Sequence, residues 1–213
     1  MNNNVMLFEC KNGVQRIDID YTIHIPKYNK IYTGTSSNSH ILINTGNSIY
    51  INKDDDIYVN FTYNNITYNK YYKYLGDAIT HAIDTKNPLN LISTLNYTHN
   101  DNVYNIKPVL DTNNTIDHIR YKVYYQGGLA SEVNDIDIED ILLVDTIKNS
   151  TDVFKVYFLK DGTYKLIVDI IDINNNIKTI KGNNIVISNT TDNNNNNTIN
   201  SMFRNRISYI EWE

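Results

Sequence analysis

The chain is predicted to be mostly β, folded as two β domains with one short helix over residues 75–84 and an extended arm at its C-terminus. Three observations carry this. Apolar and polar residues alternate with period 2 in short runs from Val5 to Ile187, the pattern of strands with one wet face. Gly or clustered Asn and Asp interrupt those runs at short intervals, as they do in sandwiches and barrels. A length of 213 residues holds one large or two small domains with a buried core, and two is the reading taken.

The first domain is assigned to residues 1–100. Val5–Cys10 is a short apolar strand closed by a Lys11-Asn12-Gly13 turn. Ile17, Ile19, Tyr21, Ile23 and Ile25 share one face, with Asp18, Asp20, Thr22 and His24 on the other, until Pro26 ends the run. Further short strands are expected at Ile41–Ile43, Ile49–Ile51 and Ile57–Tyr63. Residues 64–74 are dense in tyrosine. Leu75, Ala78, Ile79, Ala82 and Ile83 then recur at three- and four-residue spacing, which predicts the helix, and Pro88 stops it. Leu89–Tyr97 fits either a helical extension or a returning strand. The polar run Thr98–Asn102 is read as the domain boundary.

The second domain, residues 103–188, begins with strands expected at Val103–Leu110, Ile116–Gln126 and Ile136–Val144. Its clearest part is Asp152–Ser188. Phe154, Val156 and Phe158 alternate with Lys155 and Tyr157, and Tyr164, Leu166, Val168 and Ile170 alternate with Lys165 and Asp169. Lys160-Asp161-Gly162 supplies the first turn and Asn174-Asn175-Asn176 the second, because Gly and Asn tolerate positive φ. Residues 189–213 form an Asn-rich linker, with five consecutive Asn, and then a docking arm. The arm regains Met202, Phe203, Ile207, Tyr209, Ile210 and the only Trp, Trp212, beside Arg204 and Arg206.

Composition excludes several function classes. A formal charge of −5 without a Lys/Arg cluster argues against a nucleic-acid partner. A single cysteine, Cys10, permits no intrachain disulfide and no multi-thiolate zinc site. The N-terminus lacks the pattern of a secretory signal and no run is long enough to span a membrane, so synthesis in a cytoplasm and no membrane partner are expected. Asn is about one residue in six, a bias that follows AT-rich codons.

No catalytic, cofactor or metal site is expected. Asp54-Asp55-Asp56 lacks the Gly-spaced ligand ladder of a Ca²⁺ loop and reads as a solvated turn. Asp135, Asp137, Glu139 and Asp140 alternate with Ile136, Ile138 and Ile141, which puts the first three acids on one strand face, read as a wet face. His24, His40, His81, His99 and His118 show no paired spacing, and Cys10 lies in no nucleophile motif. Phosphate-loop and serine-elbow patterns are absent from the sequence.

Contact surfaces are the better candidates. Tyr68, Tyr71 and Tyr72, with Tyr74, fit an interface built of tyrosine and asparagine, and they fit a tyrosine-rich core equally. On the outward face of the Tyr164 strand stand Ile167 and Ile171, where a free sandwich keeps polar residues, so something is expected to cover them. The arm residues Met202, Phe203, Arg204, Arg206, Ile207, Tyr209, Ile210 and Trp212 complete the predicted interface.

Asp161, Gly162, Tyr164 and Leu166, with their flanking strands, make residues 103–188 resemble immunoglobulin-like or PKD-like sandwich modules, in which a Tyr opens the penultimate strand. The cysteine pair and strand-C tryptophan of antibody domains are missing, so the resemblance implies architecture only. Two β domains, an AT-rich coding bias, no export signal and a C-terminal arm together resemble a structural virion protein of a tailed bacteriophage, of the crAss-like type, a likeness of general character and not of motif. That resemblance implies a homo-oligomer contacting other virion proteins, as a ring in the head-tail connector or tail. A capsid decoration protein and a receptor- or glycan-binding adhesin are the alternatives.

Overall fold

The computed structural model describes residues 5–46, 49–76, 80–127, 140–150, 152–188 and 210–212, the last three in their backbone alone. They are mostly strand, arranged in four sheets, with no α-helix among the described residues. The chain divides into two compact units. Unit 1 comprises Met1–Asn90 and Ile171–Lys178, and unit 2 comprises Leu91–Ile170 and Thr179–Glu213.

Unit 1 holds two sheets. In the first, β1 (Val5–Asn12) pairs antiparallel with β2 (Gln15–Arg16) and β5 (His40–Asn44), and parallel with β8 (Thr80–Asp84). The second has the order β4 (Lys30–Thr35), β3 (Asp20–Ile25), β6 (Asp56–Tyr63), β7 (Ile66–Lys73). Alternation along the strands decides which side chains enter the core: Met6, Phe8 and Cys10 from β1 meet Ile23, Ile25, Ile57, Val59 and Phe61 from the other sheet. Ile17 and Ile19 are buried ahead of β3, and Ile49 and Ile51 are buried in a segment that forms no strand at those positions.

The helix expected over 75–84 is corrected at its described end. Thr80–Asp84 is β8, in register with β1 from Leu7↔Thr80 to Lys11↔Asp84; residues 77–79 lie outside the described residues. Burial here follows period 2, with His81, Ile83 and Thr85 inside and Ala82 exposed. The helical spacing of Leu75, Ala82 and Ile83 left out His81 and Thr85, which are polar by type but core-facing by position. Pairing along β1 satisfies the segment's backbone groups and overrides its weak local preference.

Neutral burial of His81, stacked on Phe8 at a centroid distance of 5.3 Å, makes a testable contribution to acid sensitivity. Burial pushes its pKa below the ordinary 6.5. As pH falls, the unfolded chain therefore takes up a proton before the folded one does, so this stability is complete above 6.5 and is lost as pH falls below it. Thermal midpoints measured on both sides of that pH should show the decline, and His81→Phe should remove His81's share of it.

Unit 2 also holds two sheets. One has the order β9 (Ile92–Asn100), β10 (Val103–Asp111), β13 (Phe154–Phe158), β16 (Ile210–Trp212). The other has the order β12 (Ile141–Lys148), β11 (Ile116–Tyr125), β14 (Gly162–Asp172), β15 (Ile177–Ile187). Ile106, Phe154, Val156 and Phe158 from the first sheet and Ile119, Tyr121, Val123, Tyr164, Leu166 and Val168 from the second share one core. Leu89–Tyr97 thus resolves into a strand from Ile92. The polar run at Thr98–Asn102, read as a boundary, is instead the end of β9 and its hairpin turn into β10, with Asp101 at φ 51°.

The corner before β14 is built as its sequence requires. Gly162 has φ +150°, and a Cβ there would stand 2.3 Å from Tyr125 Cε2 and 2.7 Å from the Gly127 carbonyl oxygen. Tyr164 Oη donates to the Lys160 carbonyl at 2.6 Å, tying the strand to the turn four residues upstream. Tyr164→Phe should cost about 1 kcal/mol, since it strips that carbonyl of a buried partner. Tyr121, equally buried, has a hydroxyl with no partner among the described residues. Tyr121→Phe should be neutral or stabilising, and urea unfolding of both variants checks the contrast.

Candidate functional site

β14 is buried along its whole length. Its inner face fills the core of unit 2; its outer face carries Thr163, Lys165, Ile167, Asp169 and Ile171, all 7 % exposed or less. Ile167 and Ile171 are therefore covered, as their apolar character required. Ile171 belongs to unit 1, where it packs with Tyr71 and Ile177 and against Tyr58. Between the two isoleucines, Asp169 accepts hydrogen bonds from Lys122 Nζ and Thr179 Oγ1, both at 2.6 Å. On the same sheet Arg120 forms a bidentate pair with Asp145. Such ion pairs hold register between neighbouring strands and give the outer face a polar pattern that an apolar sheet would lack.

The arm reaches the opposite sheet. β16 pairs antiparallel with β13 in the register Val156↔Trp212, Tyr157↔Glu211, Phe158↔Ile210. Two predicted arm residues, Ile210 and Trp212, thus lie on a strand; Met202, Phe203, Arg204, Arg206, Ile207 and Tyr209 lie outside the described residues. Without β16, β13 would be an edge strand presenting unpaired backbone groups over a fully buried inner face of Phe154, Val156 and Phe158. The Phe158 backbone is held from its other side by Asn102, whose carbonyl accepts from Phe158 N at 2.9 Å and whose Nδ2 donates to Phe158 O at 2.6 Å.

The tyrosine-rich stretch is corrected as a contact surface. Tyr68, Tyr71 and Tyr72 are 6, 3 and 5 % exposed. Tyr68 stacks on Phe61 at 5.0 Å and donates to the Thr85 carbonyl, while Tyr72 meets Phe8 edge-on and donates to the Ala82 carbonyl. Tyr71 donates to Asp56 Oδ1 at 2.9 Å, and burial pushes its hydroxyl up to about 12. These rings are offered to the interior of unit 1, where alternation along β7 places Tyr68, Lys70 and Tyr72 on the same face.

Lys70 is what the sequence reading overlooked. It is 1 % exposed, buried together with Asp172 at 1 % and Asn176 at 2 %. Lys70 and Asn176 are antiparallel bridge partners, and Lys70 Nζ donates to the Asn174 carbonyl at 3.1 Å. Asp172 Oδ1 accepts from the backbone N–H groups of Asn174 and Asn176, and its Oδ2 accepts from Asn176 Nδ2 at 2.7 Å. Burial pulls the Lys70 amine down to about 8, against the pull of Asp172 and Asp84. The signal was present in the sequence, since Lys70 shares the phase of two tyrosines, but a lysine is ordinarily assigned to the wet face.

The remaining candidates behave as local structure. Asp55 takes hydrogen bonds from Lys27 Nζ, Tyr28 Oη and Asn52 N; burial alone would raise its carboxyl, and these donors together hold it below the ordinary value. Asp56 instead pairs with Lys73 at 2.6 Å, so the Asp54–Asp56 run diverges into separate contacts. Asp140 accepts from Gln126 Nε2, and Asp135, Asp137 and Glu139 lie outside the described residues. Among the described residues no three His, Cys, Asp or Glu side chains are grouped to hold a metal. Cys10 is fully buried, with its thiol pushed up to about 11 by burial.

No family model and no curated protein matches the chain. Solved structures give three likenesses. A DUF3823 family protein from Bacteroides ovatus ATCC 8483 aligns over 87 % of this chain and 100 % of its own, at 8 % identity and a TM-score of 0.32. BcpA, the major pilin subunit of Bacillus cereus, aligns over 87 % of this chain and 69 % of its own, at 10 % identity and 0.29. A DUF3823 family protein from Parabacteroides merdae ATCC 43184 aligns over 87 % and 98 %, at 7 % identity and 0.26. These scores establish no shared fold or function.

Proposed function

We propose that this chain is a non-enzymatic structural protein of a tailed-bacteriophage virion, assembling in several copies as a ring in the head-tail connector or tail. The observation that carries the assembly reading is β16. It is a three-residue strand in the arm that follows the Asn-rich run, and it completes the open edge of β13. The virion assignment rests on the character of the sequence.

Unit 2 supports the reading as an immunoglobulin-like module. In the lettering of that fold, β9, β10 and β13 correspond to A, B and E, and β12, β11, β14 and β15 to C′, C, F and G. Tyr164 stands at the E–F corner with the hydrogen bond that a tyrosine corner makes. β16 then occupies the place of strand D beside E. A position normally filled by the chain passing through is here filled from its C-terminal arm, and a strand supplied that way can equally be supplied by a neighbour.

Exchange between copies keeps the same backbone pairing, so it changes the free energy little by itself. Joining β15 to β16 within one chain costs closure entropy that grows slowly with the number of residues between them. Copies held side by side offer each other the β13 edge at high effective concentration, and head-to-tail pairing closes a ring when the rotation permits.

Truncation after Ser188 tests this. Mass photometry of the full chain should show discrete multimers, and the truncated chain should run as a monomer with an unchanged far-UV spectrum. Multimers that survive truncation would overturn the arm as the assembly element.

A further inference from the structure

The buried cluster of Lys70, Asp172 and Asn176 lies within unit 1 and has no part in the assembly reading. A lysine with 1 % exposure, joined through its amine to a neutral carbonyl, is an expensive way to hold a turn. Its surroundings supply a reason for keeping it. Lys70 and Asn176 are bridge partners across an antiparallel pair, so their side chains leave the sheet on the same side with Cβ atoms about 5 Å apart. The lysine side chain is long enough to span that separation to the Asn176 carboxamide. The carboxamide is already held by its nitrogen, at 2.7 Å from Asp172 Oδ2 and 2.8 Å from the Asn87 carbonyl.

We propose that Lys70 and Asn176 form an intramolecular amide cross-link, with Asp172 relaying the proton. The lone pair of Lys70 Nζ attacks Asn176 Cγ, making the new N–C bond. Asp172 takes a proton from Nζ and returns it to Nδ2. The Cγ–Nδ2 bond breaks and ammonia leaves, with no oxidant or other co-reactant. A cavity of about 160 Å³ lined by Tyr68, Pro88, Asn176 and Ile177 adjoins the carboxamide and gives the leaving group room. Burial favours the neutral, nucleophilic form of the amine. The product ties β7 covalently to the turn between β14 and β15, and it replaces a buried amine and a buried primary carboxamide with one secondary amide, leaving Asp172 unchanged.

Intact-mass measurement of the freshly purified full chain tests this. The expected mass is that of the sequence less one ammonia, with a tryptic species joining the Lys70 and Asn176 peptides. Lys70→Arg should restore the full sequence mass. An unlinked wild-type chain at full mass overturns the proposal. So does an ammonia loss that persists in Lys70→Arg, which would mark a succinimide formed at an asparagine without the lysine.

Discussion

Phe158→Ala is expected to lower the stability of unit 2 by about 3–5 kcal/mol, the cost of an aromatic truncated in a packed core. Phe158 is fully buried, 4.5 Å from the Tyr164 ring and 5.4 Å from Tyr104 in an edge-on contact. Its removal strips contacts from β10 and β14 at once, so neither sheet can relax into the gap without moving the other. The β14 side of that gap is pinned by the bond from Tyr164 to Lys160. Phe158→Leu, which leaves a smaller void, should cost markedly less. In urea unfolding the midpoint should fall with an unchanged m-value; a changed m-value would mean that the native or unfolded ensemble had altered instead.

Asp169→Ala should be comparably severe, about 3–5 kcal/mol. Asp169 is 2 % exposed and lies 2.6 Å from Lys122 Nζ, whose side chain is itself 14 % exposed. Removing the carboxylate takes from the half-buried Lys122 ammonium its 2.6 Å partner, leaves a cavity in the covered face of β14 and takes the acceptor from Thr179 Oγ1. The pair itself contributes far less than its rupture costs, because both charges were desolvated to make it. The combined Lys122→Met, Asp169→Leu variant should therefore recover most of the loss. A double variant as unstable as Asp169→Ala would show that the pair, and not its desolvation, dominates at this site.

Strand phase was the legible part of this fold. Period-2 alternation identified the inner faces of β3, β13 and β14 residue by residue, while β1 and β6 were legible only as strands, and the phase of Ile167 and Ile171 pointed to the covered second face of β14. The corner at Lys160-Asp161-Gly162 was legible because its chemistry is local: a glycine at positive φ and a tyrosine two residues on. What failed was non-local. β8 exists because β1 offers it a parallel edge, and nothing within residues 75–84 encodes that edge. Unit 1 draws Ile171–Lys178 from far along the chain, and a boundary sought as a polar run falls on a hairpin turn instead. The tyrosines of β7 were ambiguous by composition, although the phase that Tyr68 and Tyr72 share with Lys70 already placed those two on one face and Tyr71 on the other. The arm was legible as sticky, but its partner strand was not, since three residues pairing with β13 leave no periodic signature.

The assembly reading is tested most directly by a cysteine pair across the β13–β16 register. Tyr157 and Glu211 are Cα partners, and such partners lie about 4.5–5.5 Å apart, inside the span of a disulfide. Tyr157→Cys with Glu211→Cys, in a Cys10→Ser background, should yield a ladder of disulfide-linked multimers under mild oxidation. A disulfide confined within single chains would contradict exchange between copies, and no disulfide at all would contradict the pairing of the C-terminal strand with β13.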